Sequence, residues 1–234
     1  MIKAILFDLD GTLLPMDQDK HLKTYFKHLS AYMIPYGYEP SEFINNMMKS
    51  TYLMLKNDGS DTNENIFWNS FAEIYGDKVK KDRLVVDSFY KNAYQPVSAV
   101  CGFNPEAAST VRRLKDRGYT VVLATSPLFP RVAVEGRLGW AGLDISDFDE
   151  VTTYENSHWT KPSSGYYREI CERLSLKPEE CLMVGNDVSD DMPAQNTGMK
   201  VFLLTDCLIN AKCEDISKYP QGSFKELIEY IDSL

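Results

Sequence analysis

Two aspartates stand one residue apart at the end of an apolar run: Asp8 and Asp10 in "FDLDGT", residues 7–12. Side chains two apart on an extended strand share a face, separated by about 7 Å along the chain. Carboxylates held that close repel each other and call for a compensating cation. Mg²⁺ suits them, because it takes oxygen ligands and commonly uses one or two carboxylates together with waters and substrate phosphate. Asp-Gly between apolar runs is also the signal of a tight hairpin turn. On this stretch alone both readings stand.

Three further polar groups complement the pair. Thr125 and Ser126 close the run "VVLATS", Lys161 sits in "TKP", and Asn186, Asp187, Asp190 and Asp191 crowd into "VGNDVSDD", residues 184–191. Singly, each has a plain alternative. The two hydroxyls can cap a helix, a lysine is most often solvated, and Asp190 and Asp191 can favour a helix N-terminus. "DVSDDM" is not a calcium loop, since the sixth and twelfth positions hold Met192 and Gly198 in place of glycine and glutamate. Taken together, the four groups supply hydroxyls, an ammonium and carboxylates, the complement of a metal and a phosphate.

The elements that must position them follow from hydropathy. "IKAILF" reads as a buried strand. Four helices are expected at about 17–34, 41–56, 63–75 and 79–94, with aromatic and methionine residues at three- and four-residue spacing that reads as helix packing. Asp61 or Thr62 is the expected cap of the third. After Pro96 the rhythm changes. A helix over about 105–117 stops at Gly118, "YTVVLATS" is a strand, and a helix starts near Pro130. "FDEVTTY" is a short strand, followed by a helix at 163–174, the strand "CLMVGN", a helix at 190–197, the strand "KVFLLT" and a last helix at 223–233. This is α/β alternation, the pattern of a Rossmann-like parallel sheet with helices on both faces. In such sheets ligands bind at the carboxyl ends of the strands, which is where the four polar groups fall. The expected organisation is an α/β core domain from 1–14 and 96–234, with an inserted all-helical domain over 15–95.

Bulk properties narrow the field. The chain has 234 residues, 44% of them hydrophobic, and a net charge of −9. That acidity argues against nucleic acid as a partner and leaves an anionic small substrate open, since a pocket's local charge can differ from the total. The five cysteines contain no C-x-x-C pair and are expected to be reduced thiols. No apolar run reaches the roughly 20 residues of a membrane span, and no signal-peptide pattern opens the chain. A cytoplasmic protein without membrane association is the expectation; its oligomeric state is not legible. Walker, G-x-S-x-G and H-E-x-x-H motifs are missing.

"FDLDGT", "VVLATS", Lys161 in "TKP" and "VGNDVSDD", in that order, resemble the four signature motifs of the haloacid dehalogenase-like (HAD) hydrolase superfamily. The resemblance covers the α/β part, and the position of the insertion is similar to the cap of the family's helical-cap group. The resemblance implies a Mg²⁺-dependent phosphatase acting on a small phosphorylated substrate. Asp8 would be the nucleophile, forming an aspartyl-phosphate, and Asp10 the general acid and base, its backbone carbonyl also binding the metal. Thr125 and Ser126 would bind the phosphoryl group, which Lys161 would neutralise. Asp187 would complete the metal shell, with Asn186 or Asp191 beside it. The fourth motif departs from the commoner Gly-Asp by one position, because Asn186 follows the glycine. The presence of Asp10 favours phosphoryl transfer over dehalogenation, which needs no protonated alkoxide. A phosphomutase, or a non-catalytic binding or regulatory protein on this fold, are the alternatives.

Overall fold

The computed structural model describes all residues of the chain except the side chain of Lys80. Strand β1 (Ala4–Phe7) is buried along its whole length. It is flanked by β2 (Thr120–Leu123) and β4 (Cys181–Gly185), and the full order is β3-β2-β1-β4-β5-β6, with β3 at Glu150–Val151, β5 at Lys200–Leu204 and β6 at Gln221–Gly222. Every pairing is parallel. From β1 the chain builds outward through β2 and β3, then returns to the other side of β1 for β4. The β1/β4 boundary is therefore the point where strand order reverses and a crevice opens.

Alternation along the strands divides the interior in two. Ile5, Phe7, Val121, Leu123, Leu182 and Val184 face α5 (Pro105–Asp116), α6 (Arg131–Trp140) and α8 (Phe224–Asp232). Ala4, Leu6, Val122, Cys181 and Met183 face α7 (Ser164–Leu174). Burial on both faces is why these strands read as continuous apolar runs. Phe7 is level with Leu123 on one side and Val184 on the other. The three strands thus end together, and Asp8 continues the even-numbered face toward α7.

Between β1 and β2 lies the helical insertion: α1 (Gln18–Met33), α2 (Pro40–Leu55), α3 (Asn63–Tyr75) and α4 (Val79–Asn92). All four match the expected helices to within two residues. Thr62 caps α3 by accepting from the Asn65 amide at 3.2 Å. Rings make the insertion's interior: Tyr25, Phe43, Phe67, Phe71, Phe89 and Tyr90 are buried there, and Ala133 and Tyr154 of the α/β part join the same cluster.

Two expectations needed correction, and one strand was not expected at all. The helix expected at 190–197 is a 3₁₀ segment, Met192–Thr197. The preceding residues are held in side-chain-closed turns, and Pro193 lacks the amide that an α-helix would use. The strand "FDEVTTY" shrinks to Glu150–Val151. Thr152 still donates its amide to the Leu123 carbonyl at 3.0 Å, while its hydroxyl takes the Thr125 carbonyl at 2.6 Å, and the pairing goes no further. The edge strand β6 was not foreseen; two residues behind Pro220 carry no periodicity.

Candidate active site

The first motif folds back as soon as β1 ends. Gly11 donates to the Leu14 carbonyl at 2.8 Å and Leu14 to the Leu9 carbonyl at 2.9 Å. Gly11 has φ +88°, and a Cβ there would lie 2.4 Å from Asn186 Nδ2, so both its conformation and its space exclude a side chain. A tight turn does form here, but not a hairpin, since β1 pairs only in parallel with β2 and β4. The same turn brings Gly11 and Thr12 against Asn186 in the loop after β4.

Asp8 is nearly buried, 8% exposed. Its Oδ1 accepts from Lys161 Nζ at 2.8 Å. Lys161, 3% exposed, also donates to Asp191 Oδ1 at 2.6 Å. Burial acts to discharge this ammonium, but Asp191 and Asp8 outweigh it and hold its pKa well above the ordinary lysine range. Lys161 is therefore a fixed positive charge between two carboxylates. Burial pushes the Asp191 carboxyl up against the opposing pull of Lys161.

The acidic loop has a division of labour. Asp191 Oδ2 accepts from the Asp187 amide at 2.9 Å. Asp187 Oδ1 accepts from the amides of Ser189 and Asp190 at 2.7 and 3.1 Å. A Cβ on Gly185 would lie 2.1 Å from the Asp191 carboxyl, so this loop packs directly on the strand end. Asn186 spans two motifs: its Oδ1 accepts from the Thr12 hydroxyl at 2.9 Å and its Nδ2 donates to the Cys207 carbonyl at 2.7 Å. Asn186 and Asp191 thus spend their side chains on protein groups, whereas among the described residues Asp187 Oδ2 has no hydrogen-bond partner.

Thr125 is buried at the end of β2, its carbonyl held by the hydroxyls of Thr152 and Tyr166 at 2.6 and 2.9 Å. Its own hydroxyl makes no hydrogen bond to another described residue. Ser126 accepts at its carbonyl from the Leu128 amide at 2.8 Å. The structure therefore gathers Asp8, Lys161 and Asp191 into one ion network and places Thr12, Asn186 and Asp187 in the adjoining loops.

Asp10 is paired with a residue that the sequence reading missed. Its Oδ2 accepts from Arg137 Nη1 of α6. Arg137 is fully buried and shares the core-facing stripe of α6 with Ala133, Val134 and Leu138. An arginine inside an apolar stripe was the available signal. Asn63 was also missed. Fully buried at the start of α3, it donates to the carbonyls of Pro127 and Trp159 at 3.3 and 3.2 Å, tying the insertion to the loops that carry Ser126 and Lys161. A separate cavity of about 160 Å³ lies along the seam, walled by Tyr25, Phe67, Trp68, Tyr90, Phe129 and Tyr154.

Among the described residues, no cluster of three or more His, Cys, Asp or Glu side chains is placed to hold a metal. A Mg²⁺ ion needs fewer, since waters and substrate complete its shell. The Asp10 carbonyl oxygen and Asp187 Oδ2 accept no hydrogen bond from the described residues. That orphaned, oxygen-only donor set fits a hard divalent cation.

A parallel sheet with this strand order, a helical insertion after β1 and an aspartate–lysine centre at the strand ends define a hydrolase architecture. The chain belongs to the haloacid dehalogenase-like hydrolase family, whose model matches residues 2–196. It is 32% identical over 202 residues to the pyrophosphatase PpaX of Bacillus cereus, covering 85% of this chain and 81% of that protein. Its fold is similar to a HAD phosphatase from Thermococcus onnurineus, at TM-score 0.58 and 22% identity over 98% of both chains. It is also similar to a 2-haloacid dehalogenase from Pseudomonas syringae, at TM-score 0.61 and 18% identity over 100% of this chain and 99% of that one.

Proposed function

We propose that this hydrolase is a Mg²⁺-dependent phosphatase that cleaves a small phosphorylated metabolite through an aspartyl-phosphate on Asp8. The observation that carries the reading is the Asp8–Lys161 pair at the carboxyl end of β1, with a second carboxylate two residues on. The relatives named as pyrophosphatases support phosphoryl chemistry and make inorganic pyrophosphate one substrate to assay.

Lys161 fixes Asp8 through Oδ1, which leaves Oδ2 to attack phosphorus. The bond from phosphorus to the leaving oxygen breaks, and Asp10 gives that oxygen its proton. Asp10 then takes a proton from water as the water oxygen attacks phosphorus, and Asp8 departs as carboxylate. Lys161 and the hydroxyls of Thr125 and Ser126 face the charge on the phosphoryl oxygens. Mg²⁺, held by Asp8, the Asp10 carbonyl and Asp187, would supply further charge neutralisation. Residues 15–95 act as a cap domain over a core of 1–14 and 96–234, excluding water and selecting substrate. Five unbridged cysteines accord with a reducing compartment, and we assign the protein to the cytoplasm. No helix among the described residues is long and apolar enough to cross a membrane.

The test is phosphate release from an aryl phosphate with Mg²⁺, without it, and with Asp8→Asn. Release that requires both Mg²⁺ and Asp8 is expected. Metal-independent release that survives Asp8→Asn contradicts the reading, and with a sugar phosphate as substrate an isomeric sugar phosphate in place of free phosphate would make the enzyme a mutase.

A further inference from the structure

Arg137 is an expensive residue to bury. Its guanidinium is fully enclosed, with Nη1 on Asp10 Oδ2 and the face of Phe129 at 4.4 Å. Nε and Nη2 are buried with no hydrogen-bond partner. Unmet buried donors cost stability, and an apolar side chain often replaces a buried ion pair without loss. An aliphatic residue would continue the stripe of Val134 and Leu138. Stability alone therefore gives no reason for arginine here.

The arrangement makes sense as support for Asp10. Asp8 and Asp10 each have their own cation, Lys161 for the first and Arg137 for the second. The insertion's groups that feel the charge of Arg137 are neutral: His21 and Tyr25 of α1, Tyr90 of α4, and Tyr94, which follows α4 and lies 3.5 Å from His21 Nε2. The planar guanidinium holds Oδ2 and leaves Oδ1 uncommitted. We propose that Arg137 is a positioning residue for Asp10, fixing its carboxylate so that Oδ1 serves the leaving oxygen and then the attacking water. The inference rests on the acid–base role proposed for Asp10 above.

A positioning role for a proton carrier has a signature that a packing role lacks. It matters most when the leaving oxygen is strongly basic. We therefore compare an alkyl phosphate with an aryl phosphate in wild type, Arg137→Met and Arg137→Lys, each also in the Asp10→Asn background. Arg137→Met is expected to lower the single-turnover rate of leaving-group release, which precedes the hydrolysis step common to both substrates, by about 100-fold on the alkyl ester, with a loss on the aryl ester at least about tenfold smaller. KM should stay within about threefold. Arg137→Lys should recover part of the alkyl rate. In the Asp10→Asn background, Arg137→Met should cost less than about threefold, because the two residues act as a unit. Equal losses on both esters, or losses that multiply with Asp10→Asn, overturn the inference. If Arg137→Met does not fold by circular dichroism, Arg137→Lys decides, through the same ester-dependent loss at smaller size. Wild-type protein that releases phosphate from neither ester refutes the phosphatase reading itself, and this inference with it.

Discussion

The end of the sheet and the helical insertion fill their interiors by opposite means. At the strand ends, charges are buried and each is tied to a named partner: Lys161 to Asp8 and Asp191, Arg137 to Asp10, Asn186 to Thr12. In the insertion, rings fill the space, as in the stacked Phe67–Phe71 pair at 5.5 Å and the edge-on Phe43–Phe71 pair at 5.8 Å. Ring contacts tolerate substitution because they lack a single required geometry. Buried charges do not, since removing one partner strands the other. The strand ends should therefore be brittle in function and the insertion plastic.

The largest expected effect is at Asp8. Asp8→Asn should reduce phosphate release by roughly 1,000-fold or more, since it removes the proposed nucleophile, while circular dichroism stays native. Lys161→Met comes next. It should lower turnover by roughly 100-fold and cost roughly 3–5 kcal/mol in urea unfolding, because Asp8 and Asp191 are left buried without their cation. A loss under about 1 kcal/mol would mean that the network is better hydrated than its burial implies.

His21 offers a pH test at the seam between the two regions. Burial first, then the charge of Arg137, hold its pKa down at about 4. The unfolded chain takes up a proton near pH 6.5 that the folded chain refuses until about pH 4. Stability is thus whole above about pH 6.5 and falls by roughly 3 kcal/mol on acidification toward pH 4. The difference in unfolding free energy between His21→Gln and wild type should trace that curve; a pH-independent difference would contradict it. The smallest effect is expected at Asn63→Ala, about 1–2 kcal/mol for two lost side-chain bonds to the core loops, with a larger change in KM than in Asp8-dependent chemistry.

How far the sequence spoke divides along the same line. The strand ends were legible because Asp8, Thr125 and Asp187 each follow an apolar run and Lys161 lies in the polar loop after the third strand, and a parallel sheet must bring such ends together. Local spacing could not say which acidic-loop residue is left free. Only the fold shows that Asn186 and Asp191 are taken by Thr12, Cys207, Lys161 and the Asp187 amide. Arg137 was hidden because it lies 127 residues from Asp10 in the chain, inside a helix whose pattern reads as ordinary packing. The four insertion helices were readable as helices, while their partners across the seam, such as Asn63 with Pro127 and Trp159, were not. Long-range polar contacts leave no periodic trace.

The central claim is covalent. Asp10→Asn protein, mixed with an aryl phosphate and Mg²⁺ and quenched in acid, should carry a phosphoryl group on the peptide that contains Asp8, as read by mass spectrometry. The label should vanish in the Asp8→Asn, Asp10→Asn double variant. Phosphate release by the wild type with no label on Asp8, or a label that persists without Asp8, would contradict the account.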